Sequence, residues 1–321
     1  MRAGVLRASL PPDRPDRLDS LTRPIRPTRP LLLCADDFGL SQGIDEAIAG
    51  LVHAGRLGAF SCLGNGPAWA RDGAQVAGLR AAGAQAGLHF NLTEGRPVSA
   101  GLARLWPQMP SLPRLLIDAH LGRLPLPQIA DELAAQWQAF VAASGCVPDF
   151  IDGHQHVHHL PGVRGLLLDW LARQPQPVAV RSTAAVAGPG PAFKRWVIER
   201  SGGRALGRLL AQHNLPHNLP HNSLLLGAYG FDADYRPLMQ AWLAQVPEGG
   251  ALLFCHPGKP SADAGRDAPD AIAGARQREL AYLAGDDFLA DLAAAGVVLA
   301  PAWQGGPARS VGGWIGGSTG G

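Results

Sequence analysis

Short apolar runs alternate with longer amphipathic stretches between about residue 30 and residue 303 of this 321-residue chain. The runs at 31–35, 58–63, 86–90, 149–153, 177–181, 223–227, 250–255 and 296–300 are nearly continuous in apolar character, as strands buried on both faces are. Amphipathic stretches at 42–54, 68–82, 127–144, 162–173, 192–212, 235–245 and 276–294 predict helices. Within Asp131–Ser144, Leu133, Trp137, Phe140 and Val141 fall at helical spacing, and Gly145 predicts the stop. This β-α-β-α rhythm predicts a parallel sheet covered by helices. Seven or eight strands in ~270 residues suit a closed or nearly closed (β/α) barrel better than an open sheet.

Two stretches break the rhythm. Residues 95–125 are rich in proline and leucine and form a long insertion after the run at 86–90. Residues 213–222 repeat His-Asn-Leu-Pro, and Pro216 and Pro220 argue against a continuous helix that would align His213, His217 and His221. A surface loop grown by repeat slippage is the expectation there. Residues 1–29 are too rich in proline and arginine to build a core, and the glycine-rich 304–321 is equally poor in core material. The expected organisation is a disordered extension (1–29), one barrel domain (30–303) and a disordered tail (304–321).

Composition adds limits. With 46% hydrophobic and 17% charged residues the chain can bury one large core. Its formal charge is only +2, and lysine and arginine read as spread out beyond the N-terminal tail, so no nucleic-acid partner is expected. No run approaches the ~18–20 apolar residues of a membrane span, and the first residues lack the apolar stretch of a secretory signal. Four cysteines, at 34, 62, 146 and 255, form no C-x-x-C pair. They read as free, mostly buried thiols in a protein of the reducing cytoplasm.

Chemistry gathers at the ends of predicted strands, where sites form in parallel barrels and open α/β sheets alike. Asp36-Asp37 follows the first run, His89 ends the third, and His154-Gln155-His156-Val157-His158-His159 follows the fourth. One carboxylate with two imidazoles suits a divalent cation that keeps positions open for water and substrate. Adjacent aspartates on a strand point opposite ways, so one would bind metal and the other would take a proton from attacking water. Against this, an Asp-Asp pair after a strand often serves a turn, Ser41 would itself cap a helix, and a lone strand histidine is usually a satisfied core residue. His154, His156 and His158 would share a face if the segment were extended, and periodicity leaves open which of them binds metal.

Together these segments resemble the YdjC-like carbohydrate deacetylases. The matching blocks are Ala35-Asp36-Asp37-Phe38-Gly39-Leu40-Ser41, Gly87-Leu88-His89-Phe90-Asn91-Leu92-Thr93-Glu94-Gly95, Asp152-Gly153-His154-Gln155-His156-Val157-His158, and Phe254-Cys255-His256-Pro257-Gly258 followed by Arg276-Gln277-Arg278-Glu279-Leu280. Gln155 and Gly153 depart from the residues many members carry there, and 59–65 is a loose version of the family's Thr-Ser-rich strand. The resemblance implies a deformed (β/α) TIM-like barrel related to polysaccharide deacetylases. It implies removal of an acetyl group from an N-acetylated amino sugar, carried by an oligosaccharide or a glycolipid. By it, Asp37, His89 and His154 are the expected ligands of one divalent metal ion, magnesium from the family and zinc from the chemistry of the ligands. Asp36 is the expected general base, and His256 is expected to protonate the leaving amine or stabilise the oxyanion. His156 and His158 become pocket groups, and a homodimer is a family-level expectation.

Two rivals differ in class. His154-x-His156-x-His158-His159 partly matches the H-x-H-x-D-H run of metallo-β-lactamase-like hydrolases, but His158 stands where that motif has aspartate. A non-catalytic metal- or sugar-binding barrel would keep the ligands without needing Asp36.

Overall fold

The computed structural model describes residues 29–212, 219–261, 270–300 and 303. Eight strands form where the apolar runs predict them: β1 (Arg29–Phe38), β2 (Ala59–Cys62), β3 (Gln85–Phe90), β4 (Phe150–Gly153), β5 (Ala179–Val180), β6 (Leu225–Leu226), β7 (Ala251–Cys255) and β8 (Val297–Leu299). All pairings are parallel, in the order β5-β4-β3-β2-β1-β7-β6, with β8 beside the first residues of β1. Two isolated bridges, Val180 with His221 and Val186 with Leu225, link the β5 side to the β6 side. The sheet therefore curls round into the expected deformed (β/α) barrel.

β1 shows how the residues sort themselves. Leu31, Leu33 and Ala35 join the outer core with Ile44, Ile48 and Leu51 of helix Gln42–His53. Leu32 and Cys34, of opposite parity, join the inner core with Ala59, Phe150, Ala179, Leu225 and Leu252. Each such fully buried leucine contributes about 1.5–3 kcal/mol against the entropy of ordering the chain. Trp303 belongs to the same inner cluster, its ring 5.3 Å from that of Phe150. Gly87 makes room for Phe150, because a Cβ there would sit 2.3 Å from its ring.

Several predicted helices are interrupted. The stretch at 192–212 splits into Ala192–Ile198, a π-turn Glu199–Gly203 and Arg204–Leu210. The split falls where Gly202 lies against the His159 carbonyl, and a Cβ there would come within 2.0 Å of that oxygen. The stretch at 276–294 breaks at Gly285 into Ala273–Ala284 and Asp286–Ala295. The insertion at 95–125 carries two helices of its own, Ala100–Leu105 and Leu112–His120. Helix Leu126–Ser144 stops as expected at Gly145, whose φ is 69°. Residues 213–218 of the tandem repeat lie outside the described residues. Its remaining end is barrel wall rather than surface loop: Leu219 is buried and His221 bridges Val180. Of residues 1–29, expected to be disordered, Arg29 instead opens β1 and pairs with Val297; residues 1–28 and the expected tail 304–321 lie outside the described residues.

Candidate active site

The parity that places Leu32 and Cys34 inside the barrel places Asp36 inside as well, one step nearer the C-terminal end of β1. The same alternation brings in Ser61 from β2, His89 from β3, Asp152 from β4 and Arg181 just past β5. A charged layer thus lies over an apolar one, and its members are bonded in series. Arg181 donates to Asp36 Oδ2 at 2.7 Å and to Oδ1 at 2.6 Å. It also reaches Asp152 Oδ2 at 2.6 Å and donates to Cys34 Sγ at 3.2 Å. Asp152 Oδ1 accepts from Ser61 Oγ at 2.5 Å and lies 2.6 Å from His89 Nδ1. Burial alone would raise the Asp152 carboxyl, but Arg181 and His89 hold it below the usual carboxylate range.

Asp37 should face outward on a regular strand. Instead the β1–β2 register shifts between Ala35 and Phe38, and Asp37 adopts φ 75°, a left-handed conformation unusual for a side-chain residue. The bulge turns its carboxylate toward the mouth. There Oδ1 lies 3.5 Å from His89 Nε2 and 3.1 Å from His154 Nδ1, and Oδ2 accepts from Arg276 at 2.7 Å. Burial opposes ionisation of Asp37, but Arg276 and the two histidines hold its carboxyl well below the usual range. His154 Nε2 in turn lies 2.9 Å from Glu94 Oε2. Burial would discharge His89 and His154, but neighbouring carboxylates prevail and raise them to about 10 and about 9.

Ser41 takes the N-cap position of helix Gln42–His53, but its side chain makes no capping bond. Asp45 Oδ1 in that helix accepts the Gly39 N–H at 2.6 Å and so holds the turn after the aspartates. Burial and Asp72 together push the Asp45 carboxyl up to about 9.

His256 lies two residues beyond Phe254 on the inner face and packs edge-on against Phe231 and Phe254. Its backbone N–H donates to Glu279 Oε2 at 2.5 Å, and its Nδ1 stands 4.0 Å from Glu279 Oε1. Tyr229 donates to that same Oε1 at 2.5 Å. Burial lowers His256 to about 4 in spite of Asp37 and Asp36, so the ring is neutral over the neutral pH range. Burial raises Glu279 to about 7.

The His154–His159 run is not extended. It is a 3₁₀ turn in which Gln155 and His156 have φ of 51° and 63°, so the histidines do not share one face. His154 alone turns to Asp37. His158 Nε2 lies 2.9 Å from the Arg181 carbonyl, and His159 bonds Thr183 and Ser201. His156 packs edge-on against Phe254 at the mouth.

Two trios of potential ligand atoms lie within 4.8 Å of one another among the described residues: Asp37, His89 and His154, and Cys34, Asp36 and Asp152. The Arg181 guanidinium already supplies the cation for the second trio. The first offers one carboxylate oxygen and two imidazole nitrogens, and His89 passes its other nitrogen to Asp152, the usual support behind a ligating histidine. These residues fit a divalent ion.

The mouth thus gathers the five residues expected to carry the chemistry, Asp36, Asp37, His89, His154 and His256, while His158 turns to the Arg181 carbonyl. Sequence reasoning missed Arg181, although an arginine ending the apolar run at 177–181 was a visible anomaly. It also gave no role to Asp152, Glu94, Arg276 or Glu279, whose partners lie up to 239 residues away along the chain.

A family model described as YdjC-like protein matches residues 30–294. The carbohydrate deacetylase of Mus musculus is 35% identical over 292 residues, which span 84% of this chain and 92% of that protein. The chitooligosaccharide deacetylase of Escherichia fergusonii is 35% identical over 151 residues, 45% of this chain and 56% of its own. A crystal structure from Enterococcus faecalis V583, provisionally described as a cellobiose-phosphate cleavage protein, superposes with a TM-score of 0.65 at 19% identity. That superposition covers 85% of this chain and 97% of the other, a likeness of fold. Because the family match takes in all eight strands but the last, together with Asp36, Asp37, His89, His154 and His256, the chain belongs to the YdjC-like family.

Proposed function

We propose that this protein is a metal-dependent deacetylase that hydrolyses the N-acetyl group of an amino sugar, as part of an oligosaccharide or a glycolipid. The observation that carries this reading is the meeting, at one barrel mouth, of the Asp37–His89–His154 trio with a second carboxylate, Asp36, held by Arg181. The named activities of the mouse and Escherichia relatives point the same way.

Asp37, His89 and His154 would hold the cation. When bound, a divalent ion polarises the acetyl carbonyl and lowers the pKa of water. Arg181 fixes Asp36 by both oxygens and Cys34 Sγ contacts Oδ1 as well, yet Oδ2 keeps a further acceptor site, so Asp36 can take the proton of an attacking water. Asp152 accepts the Nδ1 proton of His89 and leaves Nε2 free as a donor of electrons. Glu94 does the corresponding work for His154 at Nε2. His256, neutral near pH 7, serves better as an N–H donor to charge developing on the acetyl oxygen than as a standing imidazolium acid. The donor set suits zinc, while the family resemblance implies magnesium.

Acetate release from N-acetylglucosamine oligomers, with and without chelator, tests the reading. Activity should vanish with chelator and return with added metal. Asp36→Asn should retain metal by direct analysis while losing about 10²–10⁴-fold in kcat. A variant with near-normal turnover removes Asp36 from the base role. A protein that keeps metal but releases no acetate from any acetylated sugar is a binding barrel instead.

A further inference from the structure

Two long excursions leave the end of the barrel that carries the proposed catalytic groups. One follows β3 and includes residues 95–125; the other follows β5 and includes residues 188–212. Both are tied to the mouth. Glu94, at the root of the first, bonds His154, and Ser201 in the second bonds His159. His120, at the end of helix Leu112–His120, stands near enough to His159 to act on its charge.

The surfaces of these excursions are unlike the rest of the molecule. Among the described residues nine large hydrophobic side chains are exposed, and six of them lie here: Val98, Leu105, Ile117, Leu121, Phe193 and Trp196. Phe193 is 73% exposed and Trp196 52% exposed, and their rings stack 5.9 Å apart on the outside of helix Ala192–Ile198. The core has no use for them. The same two segments hold nine of the chain's 28 lysines and arginines but only two of its 26 acidic residues. Those two acids, Asp118 and Glu199, are each paired with an arginine of their own segment. The basic residues look dispersed along the sequence, yet nine of them lie in two segments that leave the same end of the barrel, and the remainder of the chain is left with an acidic excess.

Exposed aromatic and aliphatic groups among arginines form the surface that lies in the headgroup region of a bilayer. A nucleic-acid surface would need the arginines and the aromatic pair but would gain nothing from Leu105, Ile117 or Leu121. A subunit contact would gain from the apolar groups but would set like charges against each other across a twofold axis. No helix among the described residues is long and apolar enough to cross a membrane, so contact would be peripheral. We propose that the mouth end of the barrel docks on an anionic lipid surface through these two excursions, with Phe193 and Trp196 inserted among the headgroups.

The test is sedimentation of the full chain with vesicles, a readout independent of the deacetylase reading. The wild type should bind vesicles of phosphatidylcholine with roughly 30% phosphatidylglycerol, should ignore pure phosphatidylcholine, and should release at about 0.5 M salt. The double variant Phe193→Ser/Trp196→Ser should bind about tenfold more weakly. The arginine-rich first 28 residues are common to both proteins, so this difference reports the excursions alone. Arg104→Glu/Arg123→Glu, in the other excursion, should weaken binding as well. Acetate release from a soluble N-acetylglucosamine oligomer should be unchanged in both variants. Equal vesicle binding by wild type and the aromatic variant would overturn the proposal. So would conversion of a wild-type dimer to a monomer by the same two changes, or tighter binding of a random RNA that they equally reduce.

Discussion

Replacing Arg181 by methionine should add a loss of stability as pH rises above about 4. The arginine is fully buried and neutralises two carboxylates, Asp36 and Asp152, that are themselves almost inaccessible to solvent. Removing one partner of a buried ionic cluster typically costs about 3–5 kcal/mol, because the remaining charge is left without solvent or partner. In the wild type the Asp152 carboxyl is held below its unfolded value, so it contributes stability above the unfolded pKa that is lost as pH falls. In the variant, two carboxylates face each other in a dry interior with only Ser61, His89 and Cys34 beside them. At least one should then titrate above its unfolded value of about 4. The folded state would bind more protons than the unfolded state between pH 4 and 7, and stability should fall as pH rises, by up to about 1.4 kcal/mol per unit. Urea unfolding of both proteins at pH 5 and pH 7.5, above the range in which wild-type Asp152 titrates, measures the difference between their slopes. In the wild type this cluster should contribute equally at both pH values, and the variant should lose about 1–3 kcal/mol more than the wild type between pH 5 and pH 7.5. The variant's kcat should fall as the aim of the Asp36 carboxylate is lost. A variant as stable as the wild type at both pH values would show that the guanidinium does not neutralise this layer.

Two further substitutions probe the supports of the site. Asp152→Asn leaves His89 an acceptor but removes the charge behind it, and metal affinity measured by calorimetry should drop about 10–100-fold; unchanged affinity would mean that His89 needs no anionic partner. Asp45 carries the opposite pH signature to Asp152, since burial and Asp72 raise its pKa from the ordinary carboxylate range to about 9. Protonated when folded and ionised when unfolded, it should take stability away as pH rises through that window, by up to about 1.4 kcal/mol per unit. Asp45→Asn, which keeps an acceptor for the Gly39 N–H, should flatten the slope, and an unaltered slope from unfolding at pH 5 to 8.5 would place the titration elsewhere.

The barrel was legible because its staves are nearly pure apolar runs, and such runs have few other uses in a chain this polar elsewhere. What sequence patterns do not carry is the local break in the pattern. Gly202 divides a predicted helix because a carbonyl of a distant turn lies where its Cβ would be, a fact of tertiary packing with no local mark. The His154–His159 run has the alternation of a strand, yet two left-handed residues coil it, and the three alternate histidines part company.

The two aspartates are where legibility and geometry come closest to conflict. Strand alternation says that Asp36 faces in and Asp37 faces out, and a regular strand would therefore deliver one carboxylate to the mouth and waste the other. The chain keeps the first half of that rule and breaks the second with a bulge at Asp37, whose left-handed backbone costs on the order of 1–3 kcal/mol. Arg276, Asp45 and the paired histidines surround the strained turn and offset that cost. The return is a division of labour that alternation alone could not have produced. Asp36 remains in the inner layer under the control of Arg181, and Asp37 leaves it to stand over His89 and His154. Two adjacent residues of one strand so reach the same small volume from different directions, one bound to a guanidinium and the other facing the imidazoles.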